Sequence, residues 1–232
     1  MMNNESLARI KRIEERTGYE FSDKNLPLTA LTHSSYANER KINLTECNER
    51  LEFLGDAVLE MISSAFIYRK YPDMPEGKMS RLRAALVCEG ALAEAALKID
   101  LKEEILLGKG ERLTGGALKP SVISDAFEAL IGAIYLDGGY IPASAFVEKF
   151  VLDDTDKFIN ENDPKSALQE YLQTGGAVNI EYSVTGISGP DHDKVFEVEV
   201  KLNGEVLGTG SGRKKKDAEK AAAASALEKL RK

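Results

Sequence analysis

Glu49, Glu52 and Asp56 stand at i, i+3 and i+7 within Asn48-Glu49-Arg50-Leu51-Glu52-Phe53-Leu54-Gly55-Asp56-Ala57-Val58-Leu59, and no other stretch constrains the chain as much. Leu51, Leu54, Val58 and Ile62 recur at spacings of three and four, the mark of an amphipathic helix. The three acids then share one stripe along that helix. Like charges at this spacing repel, so the helix gains nothing from them by itself. A solvated acidic face is the ordinary explanation of such a stripe. Two features weigh against it here: Leu and Phe crowd the neighbouring faces, and a second pair, Asp125 and Glu128, repeats the i, i+3 spacing inside the apolar segment Ile123 to Leu136. Buried carboxylates without partners are costly. Four of them converging on one point would be tolerated with a multivalent cation between them.

The flanking sequence predicts an all-helical region. Leu7, Ile10 and Ile13 mark a helix stopped by Gly18, and Ser22 or Asp23 is placed to cap another that runs through Leu31. Residues 39 to 47 read as a polar loop. The acidic helix continues to about Tyr68, where Pro72, Pro75 and Gly77 break it. Helices are expected over 78–87, 89–97, 121–136 and 143–151, with loop over 108–120. The glycines of that loop lack the spacing of a phosphate-binding P-loop. His33, beside Thr32 and Ser34, reads as a hydrogen-bonded structural residue rather than a general base.

Beyond Pro164 the rhythm changes. A short helix ends at Gly175-Gly176. Ile180, Tyr182 and Val184 alternate, as do Phe196, Val198, Val200 and Leu202, and Asn203-Gly204 is a strong hairpin signal. A third strand and an alanine-rich helix from Lys214 to Leu230 complete an α-β-β-β-α order. Net charge over the whole chain is −7, yet from Pro164 onward 11 Lys and Arg face 10 Asp and Glu, against 20 and 28 in the remainder. Local clusters therefore say more than net charge. Arg213-Lys214-Lys215-Lys216 opens the last helix, where the macrodipole disfavours cations, so a reason outside the fold is expected. Cations at a helix N-terminus suit phosphate binding. Cys47 and Cys88 form neither a disulfide framework nor a zinc motif, and neither a membrane span nor a secretory signal is legible, so the expectation is a cytoplasmic protein without membrane association.

The stretch Asn48–Leu59 resembles the signature of the ribonuclease III family, and Asp125-Ala126-Phe127-Glu128-Ala129-Leu130-Ile131-Gly132-Ala133-Ile134-Tyr135-Leu136-Asp137-Gly138-Gly139 is similar to that family's second motif. The α-β-β-β-α segment resembles a double-stranded RNA-binding domain. The resemblance implies an all-α endonuclease and dimerisation domain over 1–155, a linker over 156–163 and a small α+β RNA-binding domain over 164–232. It implies Glu52, Asp56, Asp125 and Glu128 as ligands of Mg²⁺, with Mn²⁺ able to substitute, and Asp56 and Glu128 as the catalytic pair. Glu49 and Glu76 are implied as supporting residues and Phe53 as a contact between the subunits of a homodimer, although ordinary core packing explains Phe53 equally well from periodicity. Ser166, Gln169, Glu170 and Gln173 on the first helix of the C-terminal domain, His192 in a loop and Arg213 to Lys216 are expected to touch RNA. The implied activity is hydrolysis of double-stranded RNA to 5′-phosphate and 3′-hydroxyl ends with short 3′ overhangs, in processing of ribosomal RNA precursors and structured messenger RNAs. A non-catalytic RNA-binding protein on the same scaffold, or a helical nucleotide phosphohydrolase, would leave either the acids or the C-terminal domain without a purpose.

Overall fold

A computed structural model describes residues 3–156, 159, 164–173, 179–190 and 193–230, with the side chains of Leu44, Glu170 and Gln173 outside that description. The chain divides into two units, Met1–Asp153 and Asp154–Lys232. The first is helical: α1 Asn4–Thr17, α2 Asn25–Ala30, α3 Ser34–Arg40, α4 Glu49–Lys70, α5 Glu76–Leu86, α6 Glu89–Leu97, α7 Lys109–Leu113, α8 Pro120–Gly138 and α9 Tyr140–Val147, which runs on as a π-helical turn over Glu148–Leu152. The second holds α10 Pro164–Gln173, β1 Ile180–Ser188, β2 Val195–Leu202, β3 Glu205–Gly212 and α11 Lys215–Leu230.

Around α8 the first unit is built. This helix is apolar nearly all round, with Val122, Ile123, Ala126, Phe127, Ala129, Leu130, Ile131, Ala133 and Ile134 all buried, as a helix enclosed by others must be. Pro120 opens it at a position where no backbone N–H is needed. α2, α4, α6 and α9 pack against it. The tightest approach is with α4, at two glycines. A Cβ on Gly55 would collide with the carbonyl of Glu128, and a Cβ on Gly132 would collide with the carbonyl of Leu51. α1 is tied on differently. Its Ile10 and Ile13 are buried, and Arg9, Arg12 and Arg16 converge on the buried carboxylate of Glu104 at 3.3, 2.7 and 3.1 Å.

Two expected loops are partly helical. α3 runs on over 39–40 into the stretch 39–47 expected as a polar loop, and α7 occupies 109–113 within 108–120, where glycine-rich sequence suggested irregular backbone. α3 is started by an unusual cap: the imidazole of His33 accepts the N–H of Ser35. The expected Ser22 or Asp23 cap is replaced by an Asx turn, in which Asp23 Oδ1 accepts the N–H of Asn25 at 2.9 Å.

In the second unit the sheet is antiparallel in the order β1-β2-β3. Asn203 and Gly204 make the β2–β3 turn with φ of 50° and 91°, the left-handed pair that a two-residue hairpin needs. Gly208, Gly210 and Gly212 share one face of β3. Added Cβ atoms there would strike the backbone of Ala222 and Ala226, of Ala221, Ala222 and Ala218, and of Ala218, respectively. The glycines therefore let the buried alanine face of α11 (Ala218, Ala222, Ala226) lie directly on the strand. α10 closes the same core through Ala167 and Leu168, with Lys165 paired to Glu219 at 2.7 Å and Tyr171 donating to the Leu230 carbonyl at 2.9 Å.

Candidate active site and nucleic-acid interface

α4 and α8 cross with their acid-bearing faces together, and the glycine contacts explain why they can come so close. Gly55 lies three residues beyond Glu52 and Gly132 four beyond Glu128. Carboxylate oxygens of Glu52, Asp125 and Glu128 lie within 4.8 Å of one another, each residue half-buried. Asp56 is exposed and stands outside this trio, although among the charges acting on Glu128 its own is the strongest. The structure thus brings three of the four expected ligands together and leaves the fourth beside them.

The cluster is electrostatically strained. Burial, followed by the charges of Asp56, Glu52 and Asp125, pushes Glu128 up to about 7. Glu52 is raised by burial and then by Asp125, Glu49 and Asp56. Asp125 is raised by burial and by Glu89, with His33 and a hydrogen bond from Ser124 pulling the other way. Among the described residues no Lys or Arg forms an ion pair with Glu52, Asp125 or Glu128. Three oxygen donors from two rigid helices, short of positive charge and partly removed from water, fit a hard divalent cation, which takes oxygen ligands and repays their desolvation.

The other expected residues fall in varied places. Glu49 is exposed in the first turn of α4, close enough for its charge to raise Glu52. Glu76 opens α5, accepts the Ser80 hydroxyl at 2.7 Å, and lines an α4–α5 groove of about 560 Å³ with Met61, Tyr68, Met79 and Arg83, outside the acidic trio. Phe53 is 82% exposed, which excludes the core-packing alternative within the chain. Sequence reasoning missed Glu89, which begins α6 and is the largest charge acting on Asp125. Its segment reads simply as an alanine-rich helix. It also missed the close approach made at Gly55 and Gly132, for which a glycine inside an otherwise strong helix was the available signal.

In the second unit Gln169 is exposed on α10, while Ser166 is half-buried beside Ala167 rather than fully exposed. The side chains of Glu170 and Gln173, and the whole of His192, lie outside the described residues. Arg213, Lys214, Lys215 and Lys216 are all exposed at the start of α11. Arg213 meets Asp193 at 3.3 Å and Lys215 reaches Glu219 at 4.0 Å, whereas Lys214 and Lys216 make no ion pair among the described residues. The basic end is therefore largely unneutralised. No described helix is long and apolar enough to cross a membrane.

Comparison with known proteins agrees with both halves. The Ribonuclease-III-like family pattern matches residues 23–155, and the double-stranded RNA binding motif matches 164–230. The chain is 48% identical to Ribonuclease 3 of Bacillus licheniformis over 96% of its own length and 90% of that protein's. It is 46% identical to Ribonuclease 3 of Geobacillus kaustophilus over 97% and 92%. The solved nuclease domain of ribonuclease III from Campylobacter jejuni superposes with a TM-score of 0.58 at 42% identity, covering 62% of this chain and 96% of that one. The first unit carries a paired-helix acidic centre, the second a duplex-binding fold, and the matches run through both: the chain belongs to the ribonuclease III family of double-stranded RNA endonucleases.

Proposed function

We propose that the chain is a Mg²⁺-dependent endonuclease, with Mn²⁺ able to substitute, that hydrolyses duplex RNA to 5′-phosphate and 3′-hydroxyl ends. The observation that carries this reading is the convergence of Glu52, Asp125 and Glu128 within 4.8 Å across two helices. These three and Asp56 would hold the cation, with Asp56 and Glu128 the residues closest to the chemistry and Glu49 and Glu76 in support. A bound divalent cation supplies charge that favours the deprotonated form of water and offsets the negative charge developing on phosphate. The chain's own part is positional. α4 and α8 fix the carboxylates through the Gly55 and Gly132 contacts, and their combined negative charge keeps the phosphodiester out until it is neutralised. Water adds its oxygen to phosphorus, the bond to the 3′-oxygen breaks, and that oxygen leaves as a hydroxyl.

The described residues of one chain hold one such cluster, so cutting both strands calls for two chains. We assign Phe53, a large apolar side chain left in water, to the contact between subunits of a homodimer. A nuclease domain solved from Campylobacter jejuni has a described region involved in dimer formation. The second unit would span the duplex with Ser166, Gln169, Glu170 and Gln173 on one minor groove, His192 on the next, and Arg213 to Lys216 on the phosphates between, reading shape more than sequence. We place the domain boundaries at 1–155, 156–163 and 164–232. Short 3′ overhangs, ribosomal RNA precursors and structured messenger RNAs as substrates, and a cytoplasmic setting complete the proposal.

The test is cleavage of an end-labelled duplex of about 30 base pairs, roughly two spans of such a domain, by the native chain and by Glu128→Gln in Mg²⁺. Staggered cutting of both strands by the native chain, with binding but no cutting by the variant, is expected. Binding without cutting by both would leave a duplex binder and overturn the catalytic reading.

A further inference from the structure

α10 and α11, the two helices to which most duplex contacts are assigned, are fastened together at both ends. Near their starts Lys165 Nζ donates to Glu219 Oε2 at 2.7 Å, and at their far ends the Tyr171 hydroxyl donates to the Leu230 carbonyl at 2.9 Å. Between these ties Ala167 and Leu168 share one core with Ala222, Ala223 and Ala226. Start meets start and end meets end, so the two helices lie side by side and parallel.

Lys165 is the unusual member of the set. It stands in the first turn of α10, where the macrodipole disfavours a cation, beside Ser166 and one turn before Gln169. Its ammonium is held on two sides, by the Glu219 carboxylate and by the face of the Tyr182 ring on β1, 4.3 Å from the ring centroid. Tyr182 in turn packs against the core of the unit. An ammonium so held is not free to follow a phosphate. Glu219 lies one turn into α11 with its side chain 16% exposed, and its other oxygen reaches Lys215 at 4.0 Å. One carboxylate thus joins the start of α10 to the lysine-bearing end of α11. Both charges are partly withdrawn from water, so removing either leaves the other poorly compensated.

We infer that Lys165 is a positioning residue for duplex binding: clamped to Glu219 and to the Tyr182 ring, it fixes α10 against α11 so that Gln169 and Lys214 to Lys216 meet a duplex at one set spacing. This inference rests on the duplex contacts proposed for the second unit. A duplex presents its grooves and phosphates at fixed distances, and a binder already set to that spacing avoids the cost of ordering itself on contact. The simpler alternative is that Lys165 touches phosphate and Glu219 merely repels it. The two differ in sign at Glu219. By charge alone, removing an anion from the basic end should tighten binding to a polyanion. If Glu219 is half of a clamp, its removal should weaken binding.

The experiment measures affinity of the full-length protein for a labelled RNA duplex of about 30 base pairs, roughly two spans of such a domain, without divalent cation so that no cutting occurs, alongside thermal melting. Lys165→Met and Glu219→Ala are each expected to weaken binding about threefold or more with native-like melting, and the two together no more than the larger single loss, since they break one interaction. Lys165→Arg, which keeps the charge and can lie on the ring, should bind close to native. In Mg²⁺ the single variants should need correspondingly more RNA for half-maximal cleavage, with the rate at saturating RNA unchanged. Native or tighter binding by Glu219→Ala overturns the clamp, as do losses that multiply in the double variant. Should Glu219→Ala melt early, Glu219→Gln decides, because it keeps the stem and an acceptor for Lys165: binding weaker than native with native-like melting supports the clamp, and any other result overturns it. Replacing Lys214, Lys215 and Lys216 by Ala separates the two readings. If that variant binds weakly while the Lys165 and Glu219 effects multiply, the clamp alone fails. If it binds as the native chain does, the proposed duplex interface fails first and takes the clamp with it.

Discussion

Gly55 of α4 and Glu128 of α8 meet backbone to backbone, with the place of a Gly55 Cβ already taken by the Glu128 carbonyl. The acidic centre therefore sits on the very turn that the opposite helix touches. Gly55→Ala must push α4 and α8 apart, which in a packed interior costs about 1–3 kcal/mol or more and separates Glu52 from Glu128. The expected result is a lower melting temperature together with a loss of cleavage larger than the unfolded fraction explains. Gly132→Ala should behave alike, since its Cβ would strike the Leu51 carbonyl. Gly77→Ala is the control: nothing lies within 4 Å of the added atom, and it should be neutral or slightly stabilising. Native cleavage by Gly55→Ala would show that the helix contact does not set the carboxylate geometry.

The same two helices show how much the sequence could reveal. α4 and α8 were legible because their acids and apolar residues keep helical spacing over long runs, and long periodic segments are the most reliable signal. α3 and α7 were not. Each is short, one is capped by His33 rather than by Ser, Thr, Asp or Asn, and the other begins at Gly108 in sequence rich in turn formers. The separation of Asp56 from the trio was equally hidden, because i, i+4 spacing fixes the face of a helix but not which carboxylate the partner helix covers. The close approach through glycine was hidden for a related reason: a missing side chain leaves no periodic trace. The hairpin at Asn203-Gly204 was visible because only a left-handed pair satisfies that turn.

Phe53 follows Glu52 yet faces water, with 82% of its surface exposed. A surface Phe contributes little to the fold of its own chain, so Phe53→Ala should leave the monomer's stability within about 0.5 kcal/mol. If Phe53 anchors the subunit contact, sedimentation at micromolar concentration should show the native chain as a dimer and the variant shifted to monomer, with double-strand cutting reduced in step. A variant that stays dimeric places the contact elsewhere on the unit.

Lys214, Lys215 and Lys216 stand exposed where α11 begins, and the N–H groups of Asp217 and Ala218 turn back to the Lys214 carbonyl. Their cations face water and can reach phosphate, so replacing all three by Ala should weaken duplex binding uniformly across sequences. For every phosphate no longer neutralised, the dependence of log affinity on log salt should flatten by about 1. Cleavage should fall steeply at physiological salt and recover at low salt, because the acidic centre is untouched. An unchanged salt slope would return the lysines to a solvated face.

Glu104 gives the pH dependence of the fold a definite sign. Burial works to raise this carboxyl, but the Arg12 hydrogen bonds and the charges of Arg12, Arg9 and Arg16 outweigh it, and the group is held below its usual value. A carboxylate depressed in the folded state contributes stability that is complete above its unfolded value of about 4.5 and is lost as pH falls through the lower folded value. Stability of the native chain should therefore drop on acidification below about pH 4.5, the unfolded carboxyl's range. Glu104→Gln leaves the arginines without their shared anion. Arg12 is 44% exposed and regains water, so the loss near neutrality is expected at about 1–3 kcal/mol rather than that of a fully buried pair. The variant should also show a shallower acid decline, because the group that titrates is gone. Melting curves for both proteins between pH 7 and pH 3 decide the matter. Parallel declines would mean that other carboxylates govern acid unfolding and that α1 is held by the packing of Ile10 and Ile13 and by the bonds of Arg9 and Arg16 to backbone carbonyls rather than by the Glu104 charge.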